Sequence, residues 1–256
     1  MAKKKTDTTA VATITPTGYM ALKNFDFREA IAEEMEGLDA AFDRIKMPSG
    51  DTTVFQLPSD HPDEPELLKE LSAVILYHHP IRAYFKEKYT GGINPPDCGS
   101  LDAIEGQGNP GGTCSVCIYN EFGTGENNSK ACKERRRLYL LRENELFPVL
   151  LSLPTGSLKE FSRYIMRCLS KGHKTNTIVT KISLTKAVNK GGIAYAKATF
   201  RMERPLKDEE LPLVAKLSAQ IKEISQKVGF EKGDEAEPEI SVMEPEDVAA
   251  VFHHTA

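Results

Sequence analysis

The stretch "TNTIVTKISLTKAVNKGGIAYAKATFRME", residues 175–203, decides the fold class. Apolar and polar residues alternate on both sides of the turn sequence "NKGG", which is the pattern of two β-strands joined as a hairpin. In the second strand several alanines and Phe200 point to one face, whereas Tyr195, Lys197 and Arg201 point to the other. One face is therefore predicted to pack in the core, and the opposite face to carry an aromatic ring between cations.

Four segments before the hairpin also have strand character. They are "TTVFQLP" (52–58), "ELSAVILYHHPIRAYF" (70–85), "RRRLYLLR" (135–142) and "FPVLLSLP" (147–154). In the second of them Pro80 would break a helix, and the aromatic and branched residues favour a sheet. "SLKEFSRYIMRCLSKG" (157–172) predicts a helix, with Ser157 at the N-cap.

Strands, one helix and two final strands follow the order of an OB-fold barrel, in which the helix lies between the third and fourth barrel strands. The chain supplies one or two strands more than five, so an α+β sandwich stays open as an alternative. The predicted fold is α+β and mainly β, an OB-fold-like barrel at residues 19–207 with an inserted zinc ribbon.

The ends of the chain have different character. Residues 1–18 are polar and predict a disordered arm, and "NFDFREAIAEEMEGLDAAFDRIK" (24–46) has the apolar spacing of one N-terminal helix. Residues 208–230 predict an amphipathic C-terminal helix. Residues 231–256 predict an acidic, disordered tail whose single apolar anchor, Val251 and Phe252, is expected to bind a protein partner.

Four of the five cysteines lie in the Gly- and Pro-rich insertion 91–132, at Cys98, Cys114, Cys117 and Cys132. A connection of about 40 residues needs a source of folding energy other than a hydrophobic core. Two thiolates two residues apart can reach one ion from a tight turn, and four complete a tetrahedral zinc site.

The sequence therefore predicts a structural zinc ribbon with no open coordination position. The outer cysteines are single rather than paired, which departs from the usual ribbon spacing. A redox pair and four unrelated thiols remain as alternatives, and His78, His79 and His173 are available as substitute ligands.

Charge is distributed very unevenly along a chain of 256 residues with a net charge of −4. Residues 133–207 carry 17 cations against 5 acids, whereas the residues from 208 onward carry 12 acids against 4 lysines. A basic middle followed by an acidic end is typical of a polyanion-binding domain with an acidic tail. The polar face of any single strand could simply be solvated. Three strands, however, each carry cations or a Tyr ring on one face, which favours a nucleic-acid-binding surface. The predicted nucleic-acid-binding residues are Arg135, Arg137, Tyr139, Lys181, Tyr195, Lys197 and Arg201.

The segments "GGINPPDCGS", "CSVCIYNEFG" and "KACKERRRLYLL", set in a predicted OB-fold, resemble single-stranded DNA-binding proteins of the phage or mobile-element type. The zinc-bearing OB-fold of the replication protein A large subunit is a similar arrangement. The resemblance covers residues 50–205 at most. It implies a non-catalytic protein of DNA replication or recombination, and an acidic tail that recruits replication partners and competes with DNA.

Other classes have weaker support. No phosphate-binding loop, nucleophile motif or carboxylate cluster is present, so an enzyme is not expected, although a metal nuclease stays open. A zinc-ribbon transcription or recombination factor that binds duplex DNA or a protein is the main alternative, through the basic helix around Arg163 and Arg167. No apolar run reaches the roughly 18 residues of a membrane span, and no apolar signal-peptide stretch follows the Lys-rich start. In a reducing compartment, five cysteines are not expected to form a disulfide framework. We expect a cytoplasmic protein, in the bacterial host if it is phage-encoded, that does not bind membranes.

Overall fold

A computed structural model describes residues 18–36, 38, 41–48, 50, 52–59, 61, 64–87, 95–189, 192–225 and 228–230. The predicted arm, apart from Gly18, and the acidic tail with Val251 and Phe252 lie outside the described residues. So do the first four residues of the cysteine insertion and Lys190 and Gly191 of the hairpin turn.

The protein is α+β with strands predominating, as predicted. The strands are β1 (Arg44–Ile45), β2 (Phe55–Leu57), β3 (Glu66–Leu68), β4 (Glu70–Tyr84), β5 (Cys98–Ser100), β6 (Glu105–Gly108), β7 (Gly112–Thr113), β8 (Lys133–Arg142), β9 (Val149–Leu153), β10 (Ile178–Val188) and β11 (Ala194–Pro205). The α-helices are α1 (Phe27–Glu34), α2 (Thr155–Leu169) and α3 (Leu211–Ile224). Short 3-10 turns cover Gly18–Asn24, Cys114–Val116, Ile118–Asn120, Glu126–Asn128 and Thr175–Thr177.

Strand β4 is the centre of the main sheet. One edge of β4 pairs antiparallel with β8, and the other edge pairs with β10 in its first part and with β5 near its end. Strand β8 continues to β9, and β10 continues to β11. The five longest strands therefore lie in the order β9, β8, β4, β10, β11, which confirms the predicted hairpin and the strand predictions at β4, β8 and β9.

A closed barrel is not formed, because β9 and β11 do not pair within the described residues. Helix α2 lies along the free edge of β11 instead. The buried Ser157 hydroxyl accepts a hydrogen bond from the Ala198 backbone amide at 3.0 Å. The N-cap prediction for Ser157 is wrong: α2 begins at Thr155, with Pro154 at the N-cap. The hydroxyl satisfies a strand-edge donor that would otherwise be buried without a partner.

The sheet has apolar side chains on both faces and therefore two cores. The inner core, between the strands and α2, contains Phe161, Tyr164 and Phe200. The outer core lies on the other face, where Val214, Leu217 and Ile221 of α3 cover the middle of β4 and β8. A strand buried on both faces needs apolar residues at consecutive positions, which explains the continuous run "LYLL" in β8.

The N-terminal helix is shorter than predicted. Helix α1 begins where Asp26 Oδ1 accepts the backbone amides of Arg28 and Glu29, and it ends at Glu34. Arg44–Ile45, at the end of the predicted helix, is instead strand β1, which pairs parallel with β9. The apolar spacing in the second half of the segment reflects burial against the sheet rather than a continuous helix.

Candidate metal centre and basic face

The cysteine insertion connects β4 to β8, and a small folded unit forms around its thiols. Cys98 opens β5, Cys114 begins a 3-10 turn, Cys117 separates that turn from the next, and Cys132 immediately precedes β8. Strands β5, β6 and β7 pair antiparallel in succession. Gly106 in β6 faces Cys98, and a Cβ atom there would lie 2.9 Å from the Cys98 sulfur. Any larger residue at position 106 would therefore clash with the Cys98 thiol, and glycine leaves room for it.

All four predicted cysteines line one cavity. It has a volume of about 10 Å³, which is room for one water-sized sphere, and Arg82, Ser100 and Asn120 also line it. The fifth cysteine, Cys168, is buried in the inner core. Within the described residues, no group of three or more His, Cys, Asp or Glu side chains is arranged to hold a metal ion. The four cysteines thus share one cavity, and the prediction that they bind zinc stays a prediction.

Two of the four thiols have raised pKa values. Burial raises the pKa of Cys132 to about 11, partly opposed by the nearby Arg82 guanidinium and reinforced by the other three cysteines. Burial also raises the pKa of Cys114, against a hydrogen bond from Ser100 and the charge of Arg82. Burial therefore disfavours the charge of a free thiolate at Cys114 and Cys132. The redox pair stays open as an alternative.

Arg82 places a buried cation beside the thiols. Its side chain is 16% exposed, Nη1 donates to Asn120 Oδ1, and Nη2 lies 3.7 Å from Glu134 Oε2. Its Nε atom is buried without a hydrogen-bond partner among the described residues. Asn120 in turn donates to the Cys114 carbonyl at 2.9 Å and accepts from Lys130 Nζ. Four thiolates around one divalent cation carry a net negative charge, and the neighbouring Arg82 guanidinium would offset part of it.

The residues predicted on β8 are not accessible. Arg137 and Tyr139 are fully buried, and Arg135 is 6% exposed. They do lie on the outer face, as the alternation predicts, but α3 and the segment 228–230 cover that part of the face. The expectation that β8 presents Arg135, Arg137 and Tyr139 to a ligand is therefore wrong for this conformation.

The segment 228–230 is held against Arg137. The Arg137 guanidinium donates to the carbonyls of Val228 and Gly229 at 2.6 and 2.7 Å, and the Phe230 ring centre lies 5.1 Å from the guanidinium carbon. The Phe230 ring also packs on Gly99, where a Cβ atom would approach it to 2.5 Å. The predicted acidic tail thus starts beside the cysteine unit.

The other four predicted residues share an accessible surface, the outer face of the β10–β11 hairpin. Lys181 is the cross-strand partner of Arg201, and Tyr195 and Lys197 follow on the same face of β11. Arg201 is exposed, and the others are half-buried. Lys181 Nζ lies 3.2 Å from Glu70 Oε2, and Lys197 Nζ lies 3.9 Å from Glu160 Oε1. The Tyr195 ring lies over Gly156 at the start of α2, where a Cβ atom would meet it at 2.7 Å.

Sequence reasoning missed Arg82 and Asn120 at the cysteine site. Arg82 is near the end of a long apolar strand, and that position at the entry to the insertion was the available signal. The histidines named as substitute ligands are not at the cavity: His78 Nδ1 accepts from Arg136 Nε, and His79 Nδ1 is 2.8 Å from the Leu101 carbonyl oxygen.

Comparison of the chain with protein families, curated proteins and solved structures gives no match. Among the described residues, every helix is too short or too polar to cross a membrane.

Proposed function

We propose that this protein binds single-stranded DNA on the outer face of the β10–β11 hairpin. The observation that carries the proposal is the pairing of Lys181 with Arg201. Two like charges opposite each other on neighbouring strands destabilise a sheet, and Glu70 compensates only one of them. A polyanion relieves this repulsion, and Tyr195, next to Lys197 on the same face, supplies a ring on which a base stacks.

The order of the strands supports an OB-type ligand site. The series β9, β8, β4, β10, β11, with a helix between β9 and β10, is the OB-fold order in an open form. OB-folds bind oligonucleotides on the face of their second and third strands, with the loop between the first two strands and the loop between the last two. In this chain those connections are the cysteine insertion and the hairpin turn. The second strand would be β8, whose outer face is covered here, so the proposed site is moved to the last two strands.

The four cysteines, in this proposal, hold one structural zinc ion. Four thiolates are the full ligand set of a closed structural site, so the ion supplies folding energy and no catalytic position. Arg82 offsets part of the charge, and Asn120 ties the site to the following turn. The ion fixes the fold of the insertion at the far end of β4 from the hairpin, and the protein itself is not an enzyme.

As a single-strand-binding protein, it acts in DNA replication or recombination. The acidic residues 231–256 recruit a protein partner through Val251 and Phe252. A second candidate function is binding of duplex DNA or of a protein by a transcription or recombination factor. It is favoured by the exposed cations of α2, among them Lys159, Arg163 and Arg167.

Titration of the full chain with labelled single-stranded and duplex DNA of equal length tests the proposal. We expect a clear preference for the single strand and a steep loss of affinity as salt rises, because phosphate contacts release counterions. Equal or tighter binding of the duplex would favour the second candidate. Cleavage of the labelled strand would reveal a nuclease, and no binding of either would reject both candidates.

A further inference from the structure

Two surfaces of this protein expose large apolar side chains on rigid elements. The first is the knuckle patch, defined as Ile104, Val116, Ile118 and Phe122 in the cysteine insertion. The second is the helix patch, defined as Met166 and Leu169 of α2 with the cations Lys159, Arg163 and Arg167. Ten large hydrophobic side chains are exposed among the described residues, and six of them are in these two patches. Large exposed apolar surfaces mark sites of protein interaction.

The knuckle patch is rigid. The Cys132 amide donates to the Tyr119 carbonyl at 2.8 Å, and the Thr124 hydroxyl donates to the Glu121 carbonyl at 2.7 Å. Phe122 is 77% exposed, and Lys130 Nζ lies 5.1 Å from its ring centre. An apolar surface held in place by its own hydrogen bonds loses little conformational entropy when a partner binds.

The charges around the two patches are opposite. Residues 97–130 contain five acids and one lysine, and two of the acids, Glu105 and Glu121, are exposed beside the knuckle patch. Residues 155–174 contain five cations and one acid, Glu160, which pairs with Arg163. Within the part of the chain that the structure describes, Lys159 and Arg167 form no ion pair.

We propose that the knuckle patch of one copy binds the helix patch of a second copy of this chain. Each patch complements the other, because both expose apolar side chains and the exposed charges in the same segments have opposite signs. The contact is heterologous, so every copy offers one donor surface and one acceptor surface. It forms without nucleic acid and does not depend on the single-strand binding proposed above.

Other occupants explain only part of these features. Phosphates would satisfy the cations of α2 but not the exposed Met166 and Leu169. The acidic residues 231–256 would also satisfy the cations, but they would repel the acidic rim of the knuckle patch and leave it uncovered. A second copy accounts for both patches with one contact.

Charge reversal tests the contact by sedimentation velocity on the full chain without DNA, over a series of protein concentrations. The knuckle variant carries Glu105→Lys and Glu121→Lys, and the helix variant carries Lys159→Glu and Arg167→Glu. All four side chains are exposed, so both variants should fold, which circular dichroism checks. A control variant with Asp208→Lys and Glu209→Lys makes the same charge change as the knuckle variant, at exposed positions outside both patches.

The wild-type chain and the control variant should associate as concentration rises, whereas each patch variant alone should stay monomeric. An equimolar mixture of the two patch variants should associate again. The charge-reversed knuckle patch of one variant then meets the charge-reversed helix patch of the other. A monomeric wild-type chain, or a mixture that stays monomeric, would overturn the proposal. Loss of association in the helix variant but not in the knuckle variant would also overturn it and would point to the acidic tail.

Discussion

Replacing Tyr139 and Tyr195 separately by alanine should give opposite results. Tyr139 is fully buried, its ring centre lies 5.6 Å from that of Phe42, and its hydroxyl donates to the Ser225 carbonyl at 3.2 Å. Truncating a buried aromatic side chain costs about 3–5 kcal/mol of folding free energy. Tyr139→Phe keeps the ring and should cost about 1–3 kcal/mol, because it leaves a buried carbonyl without its donor.

Tyr195 is half-buried on the hairpin face and packs on Gly156. Tyr195→Ala should cost less than about 1 kcal/mol of stability, since surface changes are usually small. If a base stacks on the ring, its loss should weaken single-strand binding by about 1–3 kcal/mol. That corresponds to a rise in Kd of about 5- to 150-fold.

Urea denaturation followed by circular dichroism gives the stability of each variant, and titration with a labelled single strand gives its affinity. Tyr195→Phe is the matched control and should keep both. A Tyr139→Ala variant that is as stable as wild type but binds DNA weakly would refute the burial argument. Unchanged affinity in Tyr195→Ala would refute the assignment of the face.

Three further predictions concern other parts of the chain. Metal analysis of reduced, chelator-free protein should find one zinc ion per chain, and Cys114→Ser or Cys117→Ser should lose it; zinc near zero in the wild type would reject the site. Burial, the Arg136 charge and His79 lower the pKa of His78 to about 4. Between pH 6.5 and 4 the unfolded chain therefore takes up a proton that the folded chain does not. Stability in urea should fall over that interval by up to about 3 kcal/mol, and by less in His78→Asn, whereas an equal fall in both would exclude His78 as the cause. Deleting residues 231–256 should raise single-strand affinity at low salt, with a difference that shrinks as salt rises; an unchanged affinity at every salt concentration would reject competition by the tail.

The sequence was informative where a local pattern and the tertiary fold agree. The alternation in residues 178–205 predicts both strands of the hairpin and the core position of Phe200, but not the register shift opposite Val179 and Thr180. The spacing of the cysteines predicts that four thiols meet, because the insertion has little else to pack around. The position of Arg82 at the entry to the insertion hinted at this site, but its contact with Asn120, 38 residues away, is visible only in the structure.

The sequence misled where one signal has two physical causes. The alternating Arg and Tyr residues in β8 fit an exposed binding face, and they fit a face that another element covers equally well. The positions of α3 and of the segment 228–230 decide between them, and α3 begins about 70 residues after β8 ends. The apolar spacing around Arg44–Ile45 likewise fits a helix until its pairing with β9 is known.

Photocross-linking of a single strand that contains bromodeoxyuridine, with mass spectrometry of the linked peptide, tests the central claim most directly. Binding on the hairpin face predicts adducts within residues 178–205, with Tyr195 as the main site, and their loss in Tyr195→Ala. Adducts confined to residues 133–142 or 97–130, under conditions where the strand is bound, would contradict that account.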